Sequence, residues 1–290
     1  MHIADAELDR LIAEDLPFGD LTTDALGLGP CPASITFAAR SPLVACCTEE
    51  AARLLTRLGA VVEGPMLPGG TMAPPGTALL AASGPAAGIL AAWKIAQNLI
   101  EWASGIATAT RELVDAARAV APGIQIACTR KTVPLTRALS VKAVRAGGGI
   151  LHRTGLSETV LVFPEHRALL GDEAPAAILA RLRRSAPERT LVIEVTSVDD
   201  ALAVASAADV IQLEKFSPAE VARVVAGVDK RADRRPVIAA AGGIGPGNAA
   251  AYAASGADVL VTSFPYTARP AEVQVRISPA RPLSDRGSPS

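Results

Sequence analysis

Two glutamates and one run of cations have the types and spacing that could do chemistry. Glu194 lies at the end of "LVIEV" and Glu214 closes "VIQLE". The stretch "TRKTVPLTRALSVKAVRAGGGILHR", residues 129–153, carries six Lys or Arg plus His152, and no Asp or Glu. The rest of the chain keeps its charges balanced, with 28 basic and 29 acidic residues overall. Arginine presents a planar fork suited to carboxylate or phosphate, and lysine a compact point charge. A carboxylate turned into a protein interior is costly to desolvate unless a cation or metal faces it. Two such acids opposite Arg130 and Lys131 predict a site for Mg²⁺ and polyanions. A pair of ordinary salt bridges at a rim is the alternative arrangement.

The basic stretch divides into three parts. Thr129, Arg130 and Lys131 end the apolar run "IQIAC". Arg137, Lys142 and Arg145 follow on a helix within an arc of roughly 140°, and at least two of them are expected on a solvated face. His152 and Arg153 come after the "AGGG" break and begin the next unit. A His-Arg pair after three glycines, in a segment without acids, predicts an anion contact. Late in the chain, "AAAGGIGPGNAAAYAAS" runs an apolar segment into Gly242 and Gly243 and then into a helix. Glycines let backbone N–H groups approach a phosphate, and a helix N-terminus favours negative charge. A tight turn that uses glycine for its permissive backbone would give the same pattern.

The elements that must position these residues have two textures. Residues 5–14 read as a short helix stopped by "DLPFGD". Between 33 and 88, the short β-like runs "SITFAA", "LVACC" and "TALLAA" are separated by turns rich in Pro and Gly, as in a small sheet domain. A long helical stretch, 87–121, bridges to the remainder. From 124 onward the rhythm is strand then helix: "IQIACT" with "PLTRALSVKAVRA", "TVLVF" with "AAILARLRR", "LVIEV" with "DDALAVASAA". It continues with "VIQLE" and "PAEVARVVAG", then "PVIAAA" and "NAAAYAAS", and closes on "VLVTS". Apolar strands alternating with helices predict a parallel sheet covered by helices, here an incomplete α/β (TIM-like) barrel. In such a barrel the chemistry sits at the carboxyl ends of the strands.

Composition narrows the class. A net charge of −1 argues against a general nucleic-acid binder. The acidic start lacks the features of a signal peptide, and no apolar run reaches the ~18 residues that span a bilayer. Cys31, Cys46, Cys47 and Cys128 show no CxxC spacing and are expected as buried small hydrophobes. The expectation is a cytoplasmic protein without membrane or nucleic-acid partners.

The block "TRKTVPLTRALSVKAVRAGGGILHRTGLSETVLVFPEH" resembles the signature of the quinolinate phosphoribosyltransferases, or nicotinate-nucleotide pyrophosphorylases. Further resemblances lie in "EDLPFGDLTT", "NLIEWASGIAT", "IEV", "QLEKF" and "AAGGI", spread over almost the whole chain. "AAWKIAQN" and "GLSETVLVF" resemble the ModD-type branch, associated with molybdate-transport operons. The resemblance implies a homodimer with a shared active site, an N-terminal α/β sandwich domain over 1–105 rejoined by 268–280, and a barrel over 106–267. The tail, 281–290, is expected to be disordered. The substrates implied are phosphoribosyl pyrophosphate with Mg²⁺ and a small anionic acceptor, quinolinate in the family.

Carried over by position, Arg130, His152 and Arg153 would hold the acceptor's carboxylates and Lys131 the phosphates. Glu194 and Glu214 would face Mg²⁺ and ribose. Ala241, Gly242, Gly243 and Ser263 would hold the 5′-phosphate. Lys94 stands where the family has an arginine that reaches across the dimer interface. Phe163 stands in the acceptor region where quinolinate enzymes carry lysine. Glu214 replaces an aspartate, and Ala241, Ser263 and Thr267 replace the family's Ser, Gly and His. These departures leave two further readings: a non-catalytic binder of an oxyanion such as molybdate, and a true quinolinate enzyme of NAD synthesis.

Overall fold

The computed structural model describes residues 2–229 and 234–280. In chain order the elements are α1 (Asp5–Asp15), α2 (Leu21–Ala25), β1 (Pro32–Ala39), β2 (Leu43–Val44), α3 (Thr48–Arg57), β3 (Val61–Val62), β4 (Met72–Ala73), β5 (Ala78–Pro85) and α4 (Ala86–Arg118). There follow β6 (Gln125–Cys128), α5 (Arg137–Ala146), β7 (Ile150–Leu151), β8 (Val160–Val162), α6 (Pro164–Ala168), α7 (Pro175–Ser185), β9 (Leu191–Val195) and α8 (Val198–Ala203). The series ends with β10 (Val210–Glu214), α9 (Pro218–Val228), β11 (Val237–Ala241), α10 (Pro246–Ala254), β12 (Val259–Thr262) and β13 (Val273–Pro279). The expected tail, 281–290, lies outside the described residues.

These elements form two compact units. One holds the chain up to Ala109, Leu135–Gly148 and the segment from Ala268; the other holds Thr110–Pro134 and Gly149–Thr267. In the first, an antiparallel sheet runs in the order β13-β1-β5-β3, with β2 and β4 as a separate ribbon. Alternate residues of β1, namely Ala33, Ile35, Phe37 and Ala39, are buried and join α3 and the first half of α4 in one core. This is the period-2 pattern of a sheet with one covered face. Asp20 starts α2 by accepting the N–H groups of Thr22 and Thr23, each at 3.1 Å.

Three local expectations are corrected here. The run "LVACC" is a strand only through Val44, because Cys47 takes a left-handed φ of 60° and opens α3. Cys46, Cys47 and Cys128 are buried, but Cys31 is exposed. The helix after β6 was expected as part of the barrel rhythm, yet α5 groups with the first unit. Its Lys142 is no part of a solvated face, unlike the exposed Arg137 and Arg145. Lys142 Nζ lies 3.1 Å from Glu49 Oε2 and 2.6 Å from Glu50 Oε2. Glu50 is 2% exposed, so a buried acid on α3 has drawn in the cation that neutralises it.

The second unit is a seven-stranded sheet in the order β7-β6-β12-β11-β10-β9-β8, with every pair parallel. The order follows the chain around a ring, since β12 pairs back to β6, and the ring is open only between β7 and β8. That is the incomplete barrel the strand-helix rhythm predicts. Side chains alternate across it. Ile193, Val195, Ile211, Leu213, Ile238, Ala240 and Leu260 pack outward in one core with Val221, Val224, Ala249 and Ala253 from the helices. Ala127, Ala239, Ala241 and Val261 form a separate inner cluster. Such small side chains cannot fill the interior, and space is left at the strands' carboxyl end.

Candidate active site

That space is a cavity of about 570 Å³ at the carboxyl ends of the barrel strands. Each strand delivers residues to it in turn: Thr129, Arg130 and Lys131 after β6, His152 and Arg153 after β7, and Phe163 after β8. Glu194 comes from β9, Gln212 and Glu214 from β10, Ala241, Gly242 and Gly243 from the end of β11, and Ser263 after β12. Backbone hydrogen bonds fix the rim: Thr129 N–H to Thr262 O at 2.9 Å, and His152 N–H to Cys128 O at 2.9 Å. Tyr266 adds its hydroxyl to Thr129 O at 2.9 Å. The one expected site residue that does not line the cavity is Lys94. It is exposed on α4, with Nζ 2.9 Å from Gln97 Oε1 and 4.1 Å from the centre of the Trp93 ring.

Electrostatics separates this cavity from an ordinary charged surface. Arg153 is 7% exposed, yet its guanidinium makes no hydrogen bond or ion pair among the described residues. Its nearest organised neighbour is the Phe163 ring, 5.6 Å from Cζ. Burial lowers its pKa, and the charge of Arg130 lowers it further. Burial and the Arg153 charge likewise depress the His152 pKa. Burial raises the Glu194 pKa, and Glu214 adds to the rise, while Gln212 and Lys131 oppose it. Neither Glu194 nor Glu214 has an ion-pair partner within 4.0 Å among the described residues, so the pair is not a rim of salt bridges. Uncompensated cations face uncompensated acids across one space.

The two glycines after β11 serve different needs. Gly242 has φ 94°, and a Cβ there would lie 2.9 Å from Lys215 N, so the turn beside β10 has no room for a side chain. Gly243 has φ 72° and nothing within 4 Å of its would-be Cβ, which leaves its backbone open to the cavity. Asn248 holds the loop against the start of α10: Oδ1 accepts Gly245 N–H at 2.8 Å and Nδ2 donates to Gly243 O at 3.0 Å. Gly242 therefore answers to the turn reading of the sequence, while Gly243 stands with its backbone open at the cavity wall. Phe163 N–H donates to His166 Nδ1 at 2.9 Å, and the two rings stack 5.9 Å apart.

Gln212, Glu165, Thr262 and Phe264 also line the cavity and were not expected from the sequence. A signal for Gln212 was present, because the period of two in "VIQLE" puts it on the same face as Glu214. Gln212 Nε2 donates to Glu194 Oε2 at 2.5 Å. The two carboxylates suit a hard divalent cation that takes its other ligands from water and substrate phosphates, which is how Mg²⁺ is usually held. No cluster of three or more His, Cys, Asp or Glu able to hold a metal unaided occurs among the described residues.

Comparison with known proteins supplies the family. Residues 20–104 match the N-terminal domain model of quinolinate phosphoribosyl transferase, and residues 106–275 match its C-terminal domain model. The chain belongs to the quinolinate phosphoribosyl transferase family. It is 52% identical over 254 residues to a Rhodobacter capsulatus protein named as a pyrophosphorylase ModD, covering 86% of this chain and 95% of that one. It is 34% identical over 273 residues to the carboxylating nicotinate-nucleotide pyrophosphorylase of Mycobacterium leprae, covering 89% and 93%. Among solved structures, the NadC protein of Streptococcus pyogenes superposes with a TM-score of 0.87 at 23% identity, over 96% of this chain and 98% of that one. The family's incomplete barrel and its N-terminal sheet domain are therefore those described above. No described helix is long and apolar enough to cross a membrane.

Proposed function

We propose that this family member transfers the phosphoribosyl group of phosphoribosyl pyrophosphate to a small anionic acceptor, with Mg²⁺ as cofactor. The observation that carries this reading is the set of Arg130, Lys131, His152 and Arg153, none with an ion-pair partner within 4.0 Å among the described residues, around the same cavity as Glu194 and Glu214. In the reaction a nucleophilic atom of the acceptor forms a bond to ribose C1. The bond from C1 to the pyrophosphate oxygen breaks, and its electron pair leaves with pyrophosphate. Positive charge develops on the sugar and negative charge on the leaving group. Glu194 and Glu214 stabilise the first, and Lys131 takes phosphate oxygens. Fixed charges preorganised around the reacting atoms are usually the largest single source of rate. Bound Mg²⁺ would neutralise the phosphates, held by Glu194 and Glu214.

Arg130, His152 and Arg153 orient the acceptor through its anionic group. Gly242 and Gly243, with Ala241 and Ser263 beside them and the start of α10 behind, receive the 5′-phosphate. Phe163 offers an aromatic face where a lysine would offer charge, so the acceptor is a planar acid with less negative charge on that side than a pyridine dicarboxylate. Lys94, exposed on α4, reaches the partner subunit's site in a homodimer.

Pyrophosphate release from phosphoribosyl pyrophosphate and Mg²⁺, assayed over a panel of aromatic acids that includes quinolinate, tests the proposal. Release with at least one acid is expected. No release with any acid, together with a melting-temperature rise from molybdate alone, would instead support a binding protein for tetrahedral oxyanions.

A further inference from the structure

Gln212 is 5% exposed, and its Oε1 is shut off from solvent without a hydrogen-bond partner among the described residues. An ionised carboxylate can only accept, so the neighbouring Glu194 fixes the amide with Nε2 toward itself. Oε1 is then left as an acceptor with nothing to accept. A native fold rarely leaves such an atom unless something outside the chain completes it. Gln212 pairs in register with Glu194 on β9 and lies two residues before Glu214 on β10. It lines the cavity beside the inner cluster of Ala127, Ala239, Ala241 and Val261, which has no polar side chain. Between the two acids and that apolar cluster, one amide oxygen waits for a donor.

We infer that Gln212 is a specificity-determining residue whose Oε1 accepts a hydrogen bond from a hydroxyl or N–H group of the ligand seated beside Glu194. The inference rests on the proposed transferase reading, since it takes the ligand to be a sugar phosphate or an aromatic acid. The same donor chemistry has two sources: a ring hydroxyl of the pentose, or an amino or hydroxyl substituent on the acceptor. Quinolinate, with its carboxylates ionised, carries no such donor. The glutamine therefore selects either the sugar or an acceptor other than quinolinate.

The test is calorimetric titration of the full chain and of Gln212→Met, which keeps volume and removes the acceptor. One arm compares ribose 5-phosphate with 2-deoxy- and 3-deoxyribose 5-phosphate in Mg²⁺. The other compares quinolinate with ring-hydroxylated and ring-aminated pyridine carboxylates. In the natural protein the donor-bearing ligand of one arm is expected to bind about tenfold more tightly, the worth of a good hydrogen bond. In Gln212→Met that preference falls to near unity, while inorganic phosphate binds both proteins alike. Far-UV circular dichroism establishes folding, and Gln212→Leu replaces the methionine variant if that one fails to fold. Preferences that are the same in natural and variant protein in both arms overturn the inference and leave the transferase reading standing. Failure of the natural protein to bind any sugar phosphate overturns both.

Discussion

Lys142 and Arg153 are both cations withdrawn from water, and the protein treats them in opposite ways. Lys142 sits against Glu50 at 2.6 Å and Glu49 at 3.1 Å, and Gly69 N–H adds a 2.9 Å bond to Glu49. Hydrogen bonding to Glu50 and the charges of Glu50 and Glu49 raise its pKa against the desolvation that lowers it. Arg153 is more enclosed than most arginines tolerate, yet it has no ion-pair partner within 4.0 Å among the described residues: Phe163, Arg130 and the open cavity lie around it, and the Glu158 charge acts on it at longer range. A buried charge that is paired inside the chain belongs to stability. One left unpaired is a standing cost that only a ligand removes. The contrast assigns α5 to the scaffold and the barrel mouth to chemistry, although both stem from one acid-free stretch.

Breaking the pair should have the largest effect. Lys142→Ala leaves the buried Glu50 with only the longer 4.0 Å contact to Arg53, and chemical denaturation should show a loss of about 3–5 kcal/mol. Arg153→Ala should do the reverse: transition-temperature scans find stability kept or raised, while kcat/KM falls about 10²-fold, as when the group that orients a reactant is removed. If Arg153→Ala unfolds the protein as Lys142→Ala does, the contrast fails. Phe163→Lys restores a cation to the acceptor wall, and binding of pyridine dicarboxylates should tighten by about tenfold, within the worth of a charge-assisted hydrogen bond.

Two titrations sharpen the comparison further. The Glu194 pKa is raised in the fold, so the folded state holds that proton more tightly, and stability is lost as pH rises from the ordinary carboxylate value of 4.5 through the raised one. His152 is lowered, so its contribution is lost as pH falls below 6.5 toward the depressed value. Melting temperature against pH should flatten on the respective side in Glu194→Gln and in His152→Ala. A bound anionic acceptor should reverse the His152 effect, seen as proton uptake in buffers of different ionisation enthalpy. Smallest of all, Arg145→Ala on the exposed side of α5 should change stability by no more than about 0.5 kcal/mol.

How much of this was legible in the sequence depends on where each residue's partner lies. Arg130, Lys131, Glu194 and Glu214 stand at the ends of apolar runs, where a polar residue is conspicuous and the strand-helix rhythm says which end is chemical. Lys142 could not be read that way. Its partner Glu50 is 92 residues upstream in a different unit of the pattern, so only the tertiary fold pairs them. Gln212 was hidden because an uncharged amide inside "VIQLE" looks like a tolerated polar residue, and its missing partner shows only once hydrogen bonds are counted. Gly242 and Gly243 look alike in sequence. The approach of Lys215 to one and the open cavity beside the other separate them.

Calorimetric titration of inorganic pyrophosphate with Mg²⁺ into the natural protein, Lys131→Ala and Arg145→Ala is the most direct measurement. The account predicts salt-sensitive binding to the natural protein and to Arg145→Ala, and binding weakened at least tenfold in Lys131→Ala, by the ordinary strength of a charged hydrogen bond. Equal affinity in all three, or no binding to any, would contradict it.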